Sequence, residues 1–170
     1  MLMAVFCLGA SLIGINAQEK DWANLQRYAQ QNAELPKPDK NEKRVVFMGN
    51  SITEGWVNTH PDFFKSNGYI GRGIGGQTSY QFLVRFREDV INLSPALVVI
   101  NAATNDIAEN TGAYHEDRTF GNIVSMVELA KANHIKVILT TTLPAAAFGW
   151  NPAIKDAPQK IASLNARLKA

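Results

Sequence analysis

Apolar residues change their period along this chain. Over residues 21–35, Trp22, Leu25, Tyr28, Ala29 and Leu35 fall near helical spacing behind Asp21 as a candidate cap, and Pro36 and Pro38 end the pattern. Residues 45–48 (VVFM) form instead a continuous apolar run rich in β-branched side chains, introduced by Lys43 and Arg44 and closed by Gly49. A strand buried on both faces has this pattern. Runs of the same kind recur at 96–100 (ALVVI) and 136–142 (KVILTTT), each after a helical stretch, 79–92 and 117–133. Tyr69 and Ile70 predict a short edge strand, and residues 157–170 predict a last helix. Strand and helix signals in alternation predict βαβ units with right-handed crossovers. The expected fold is α/β: a three-layer, doubly wound, mostly parallel sheet with helices on both faces.

The first 15 residues, MLMAVFCLGASLIGI, are uncharged and apolar, and Asn16-Ala17-Gln18 is small and polar enough for signal-peptidase cleavage after Ala17. The run is too short for a spanning helix, which needs about 20 apolar residues. Residues 1–17 are therefore expected to be a secretory signal rather than a membrane anchor, and the protein to be secreted or periplasmic. Residues 18–42 would form a leading helix and linker, and 43–170 the main domain. Cys7, the one cysteine, lies inside the signal, so the mature chain would carry no thiol, which excludes cysteine catalysis and suits an oxidising compartment. Seventeen Lys and Arg against 15 Asp and Glu, with no dense basic run, leave no electrostatic footprint for nucleic acid.

In a doubly wound sheet, ligands bind beyond the carboxyl ends of the strands. Three polar, glycine-punctuated loops occupy those positions: Gly49-Asn50-Ser51-Ile52-Thr53, then residues 71–79 (GRGIGGQTS), then Asn101-Ala102-Ala103-Thr104-Asn105-Asp106. A serine on a tight strand-to-helix turn exposes its hydroxyl. A backbone N–H from a glycine-rich loop and an Asn side-chain amide can both aim at a developing oxyanion. Together these groups suit acyl transfer.

The blocks GNSIT (49–53), GIGGQTS (73–79) and ATND (103–106), in this order and spacing, resemble the first three blocks of the SGNH, or GDSL-type, serine hydrolases, above all the secreted bacterial members that deacylate carbohydrates. The resemblance implies the flavodoxin-like fold of that family and no cofactor. It implies Ser51 as nucleophile with its own N–H in the oxyanion hole, Gly76 as a second backbone donor and Asn105 as a side-chain donor. The usual Asp before the serine is Asn50 here. The family's late Asp-x-x-His block, which supplies the general base and its orienting acid, is absent: Val57, Gly112 and Lys131 stand three residues before His60, His115 and His134. The 170 residues are therefore expected to lack the last strand and helix of the domain and to be nearly inactive alone, since serine without an adjacent base is a poor nucleophile.

Plainer roles compete with these. Ser51 could cap the helix that follows the strand, Asn105 could shape a turn with Asp106 capping a short helix, and Gly75 and Gly76 could serve a positive-φ turn. The three histidines have no metal-ligand spacing around them, and no metal site is expected. Gly71 to Gly76 satisfies G-x-G-x-x-G, but the motif does not follow the first long strand, and Glu88 and Asp89, near the distance of the acidic ribose ligand, fall inside a helix.

The loop after the 136–142 run carries Phe148 and Trp150 to the same rim, where they are expected to form a substrate-binding wall; large aromatics otherwise pack on the scaffold. The expected partner is a small-molecule or glycan ester carrying a short acyl group, with acetyl the best fit. The alternative is a non-catalytic carbohydrate-binding domain of the same fold.

Overall fold

The computed structural model describes residues 21–170; the expected signal segment and Cys7 lie outside them. Four strands form one parallel sheet: β1 (Val45–Gly49), β2 (Tyr69–Gly73), β3 (Leu97–Ile100) and β4 (Lys136–Leu139), in the order β2-β1-β3-β4. Among the described residues seven α-helices accompany them: α1 (Ala29–Glu34), α2 (Ser51–Thr59), α3 (Pro61–Ser66), α4 (Ser79–Asp89), α5 (Thr104–Ile107), α6 (Glu116–Ala132) and α7 (Ala157–Lys169). Register runs from Val45 opposite Tyr69 and Leu97 to Met48 opposite Arg72 and Ile100, and β3 continues it with Leu97 opposite Lys136.

Successive side chains of a strand point to opposite faces, and β1 shows what each face holds. Val46 and Met48 are buried in the main core with Phe82 and Phe86 of α4, Val98 and Ile100 of β3, and Ile123 and Met126 of α6. Phe47 faces the other way, its ring 5.5 Å from Trp56 and 5.3 Å from Phe64, on α2 and α3. Helices thus lie on both faces of the sheet at β1, as its apolar run predicts. Strand β4 departs from that pattern, with Lys136 exposed and Ile138 50% exposed on one face.

The boundaries depart from the sequence pattern where tertiary contacts intervene. The leading segment is not one helix but a 3-10 turn at Leu25–Arg27 followed by α1. The Asp21 carboxylate accepts the N–H groups of Leu25 and Gln26, Asn24 takes a left-handed φ of 55°, and Tyr28 leaves helical geometry while its hydroxyl donates to the Gly73 carbonyl. The 79–92 helix stops at Asp89, because Val90, Ile91 and Leu93 turn into the core as a separate 3-10 turn. Strand β4 ends at Leu139 rather than Thr142. Beyond Ile100 its neighbour becomes loop, and the Thr142 N–H donates to the Asn165 side chain instead.

An ion pair lies buried beside the core. Arg85 is 0% exposed. Its guanidinium donates to the Asp89 carboxylate at 2.8 Å, to the Gln77 side-chain oxygen at 2.7 Å and to the Gly49 carbonyl at 3.1 Å. Burial pulls its pKa down, and the Asp89 carboxylate opposes that shift. Breaking a buried ion pair from one side strands the remaining charge. Asp89→Ala is accordingly expected to lower unfolding free energy by about 3–5 kcal/mol. Urea denaturation reads this as an earlier midpoint, and a change below about 1 kcal/mol would contradict the role given to the pair.

Candidate active site

The strand order places the site. The chain passes from β1 to β2 on one side and returns to β3 on the other, so the order reverses between β1 and β3, where doubly wound sheets open a crevice. The loops after β1, β3 and β2 carry Ser51, Asn105 and Gly76 respectively.

Ser51 is the first residue of α2 and is exposed. The helix cap is Asn50, whose side-chain oxygen accepts the Ile52 N–H at 3.0 Å. Asn50 therefore does the capping that Ser51 could have done. The Ser51 hydroxyl makes no hydrogen bond among the described residues, and none of His60, His115 and His134 reaches it. Gly73 allows the close approach behind it: a Cβ there would stand 2.8 Å from the Asn50 carbonyl oxygen and closer still to the Glu54 nitrogen.

The turn after β2 runs beside Ser51; a Cβ on Gly75 would lie 3.8 Å from that of the serine. Its backbone donors divide clearly. The Gly75 N–H donates to Glu54 Oε2 at 2.8 Å, and Glu54 is held in turn by Arg27 at 3.1 Å. The Gln77 N–H turns back to the Ile74 carbonyl. The Gly76 N–H has no acceptor among the described residues, and Gly76 takes a φ of 75°, a conformation glycine adopts without strain. The Ser51 N–H is likewise without an acceptor, as the first amide of a helix is.

Asn105 is buried on α5 and spends one amide proton on the Gln77 carbonyl at 2.9 Å, leaving the second. Two residues before it, Ala103 holds a left-handed φ of 80°. A non-glycine residue in that conformation carries strain of about 1–2 kcal/mol. Asp106, next in sequence, fixes the loop. Its carboxylate accepts the N–H of Ser79 at 3.0 Å, the Ser79 hydroxyl and the Thr119 hydroxyl at 3.2 Å. Asp106 thus serves the start of α4 rather than its own short helix.

The aromatic residues separate. Phe148 is 2% exposed and belongs to the core cluster, whereas Trp150 is 60% exposed with its ring 5.2 Å from that of Phe148. Of the expected wall, Trp150 is the part on the surface. Its indole N–H donates to Asn110 Oδ1 at 2.9 Å. Asn110, Glu54 and Arg85 each bond to the turn after β2 and have no motif of their own. For Arg85 a signal did exist: with Phe82, Phe86 and Asp89 it lies on one stripe of α4, a charged pair at core-facing positions.

The family model of the GDSL-like lipase/acylhydrolase family matches residues 47–170. The chain belongs to this family. Among crystal structures it is 99% identical to a protein of Bacteroides fragilis NCTC 9343 assigned as an acylhydrolase, covering 89% of this chain and 73% of that one with a TM-score of 0.88. It is 79% identical to a GDSL-like lipase of Bacteroides thetaiotaomicron VPI-5482, covering 86% and 72% with a TM-score of 0.86. It is also 32% identical over 117 residues to the uncharacterized lipoprotein YqeF of Bacillus subtilis (strain 168), over 59% of this chain. The chain spans about half the length of that curated relative (48%). Among the described residues, no helix of this GDSL-like chain is long and apolar enough to cross a membrane.

Burial pushes the Asp106 carboxyl above the ordinary carboxylate range, against the pull of its hydrogen bonds from Ser79 and Thr119. A folded-state pKa above the unfolded one means that the native state binds the proton more tightly, so stability is lost as pH rises through the folded value. Relative to Asp106→Asn, the protein is expected to be most stable in acid, to lose ground as pH rises through that range, and then to level off. Thermal melts of both proteins across the acid range check this, and a stability difference that is flat or rises with pH would contradict it.

Proposed function

We propose that the protein is a secreted serine esterase that removes short acyl groups, acetyl foremost, from carbohydrate, through an acyl-enzyme on Ser51. The observation that carries the reading is the set of leftover donors. Among the described residues the Ser51 N–H, the Gly76 N–H and one Asn105 amide proton have no partner; Gly75 lies beside the exposed Ser51, and Asn105 is bonded to the Gln77 carbonyl of the same turn. Ser51 and Gly76 are exposed and Asn105 is buried; donors without a protein acceptor, grouped on neighbouring loops, suit an anion that forms only during reaction.

In this mechanism the Ser51 oxygen attacks the ester carbonyl carbon, and the carbonyl oxygen becomes an oxyanion among the three donors. The bond to the alkoxy oxygen breaks, and the serine proton passes through a base to the departing sugar hydroxyl. Water then attacks the acyl-serine and releases the acid and free Ser51. The base and its orienting carboxylate are those of the Asp-x-x-His block that the family resemblance implies, so the reading concerns the natural full-length protein. No cofactor takes part. The glycines beside the serine, Gly73 and Gly75, suit a small acyl group, and the exposed ring of Trp150 offers an apolar face to a sugar. Phe148 supports that ring from within the core. A secretory signal over residues 1–17 would bring the enzyme to substrates outside the cytoplasm.

Treating the natural full-length protein with a serine-directed fluorophosphonate is expected to label Ser51, as read by the mass of its peptide. Ser51→Ala should abolish the label and lower ester hydrolysis by at least about a thousandfold. Absence of label in the full-length protein would overturn the nucleophile reading and leave the carbohydrate-binding domain to be tested with glycans. The sugar wall has its own test. Trp150→Ala should reduce kcat/KM more on an acetylated sugar than on a small soluble acetyl ester, and equal losses or none would remove Trp150 from the wall.

A further inference from the structure

Resting on that esterase reading, we infer that Asn110 and Trp150 form a two-residue clamp that sets the spacing of the oxyanion donors, with Asn110 as the positioning residue and Trp150 acting through it. Asn110 touches both donor loops at once. Its backbone N–H donates to the Asn105 carbonyl at 3.0 Å, and its side-chain Nδ2 donates to the Gly76 carbonyl at 3.0 Å. One residue therefore grips the backbone of the two residues that offer donors from opposite sides of the crevice.

The side-chain amide of Asn110 has two ends of opposite character, and its orientation decides whether the clamp holds. An indole N–H only donates. Trp150 Nε1 at 2.9 Å therefore requires the oxygen end of the Asn110 amide, which turns the NH₂ end toward Gly76. The reversed amide would set two donors against each other at Trp150 and two acceptors against each other at Gly76.

The Gly75-Gly76 turn is the natural target of such a device. Gly76 has no side chain to anchor it and sits at a φ of 75°. Its preceding amide, the Gly75 N–H, is already pinned by Glu54 at 2.8 Å. Holding the Gly76 carbonyl as well fixes the turn on both sides of the Gly76 N–H, so that this donor cannot swing away from Ser51. Preorganised donors stabilise a transition state because they need not reorient as charge develops. The clamp should therefore act on kcat and leave ground-state binding of a small ester untouched.

The test is a double-mutant cycle in the natural full-length protein, with p-nitrophenyl acetate and an acetylated sugar as substrates. Trp150→Phe keeps an aromatic face, though a smaller one, and removes the N–H, while Asn110→Ala removes the grip on Gly76. Asn110→Ala is expected to lower kcat on both substrates by about ten- to a hundredfold, and Trp150→Phe by about three- to tenfold, with KM within about twofold. The Trp150→Phe loss should vanish in the Asn110→Ala background, because Trp150 then has nothing to orient. Multiplying losses, a rise in KM without a fall in kcat, or unchanged kinetics would each overturn the clamp while leaving the esterase intact. A wild-type protein that neither hydrolyses ester nor labels at Ser51 would overturn the active-site reading and the clamp with it.

Discussion

The Arg85 guanidinium, buried in the core and bonded to both the strand end before Ser51 and the turn holding Gly76, is the constraint on which the site rests. A charge buried away from water needs an opposite charge and hydrogen-bond acceptors, or its burial costs several kcal/mol. Its acceptors come from separate pieces of the molecule: the Gly49 carbonyl at the end of β1, the Gln77 side chain in the turn after β2, and Asp89 on its own helix. Satisfying one residue thus brings the strand end before Ser51 and the turn holding Gly76 into a single arrangement. Gln77 extends the link outward, since its other side-chain end donates to the Ala23 carbonyl at 2.7 Å.

The leading segment then becomes part of the site rather than a spacer before it. Ala23 receives Gln77, Tyr28 donates to the Gly73 carbonyl, Arg27 holds the Glu54 that pins Gly75, and Arg72 stacks on the Tyr28 ring 4.7 Å from its centre. Exposed ion pairs such as Arg27 with Glu54 contribute little stability alone, about 0–1 kcal/mol. Their value here is geometric: they restrict a turn whose Gly75 and Gly76 have no side chains to pack. These tertiary contacts also explain why the segment forms a 3-10 turn and a short helix in place of the single helix its apolar spacing predicts.

The loop after β3 is ordered by a different device. Asp106 gathers donors from α4 and α6, so the loop that presents Asn105 is tied to two long helices. That support lets Ala103 hold a left-handed conformation, because backbone strain persists where surrounding contacts over-determine it. The carboxyl serving this purpose is itself disfavoured as an ion by burial. Structural work and proton affinity are therefore coupled one residue from a proposed oxyanion donor.

The sequence by itself determined the layers and the rim. Continuous β-branched runs can be buried only between helices, and their alternation with helical stretches requires parallel strands whose polar ends meet on one side. The three blocks carrying Ser51, Gly76 and Asn105 were legible because glycine, serine and asparagine at strand ends are local signals. Tertiary structure alone decided which donors remain free and what holds them. Asn50 rather than Ser51 caps α2, Glu54 takes the Gly75 amide, Phe148 goes into the core while Trp150 stays out, and Asn110 joins loops more than 30 residues apart in the chain. Hydrogen bonds between distant side chains and bare backbone leave no periodicity and no motif, because the partner of each is chosen by the folded backbone and not by its neighbours in sequence.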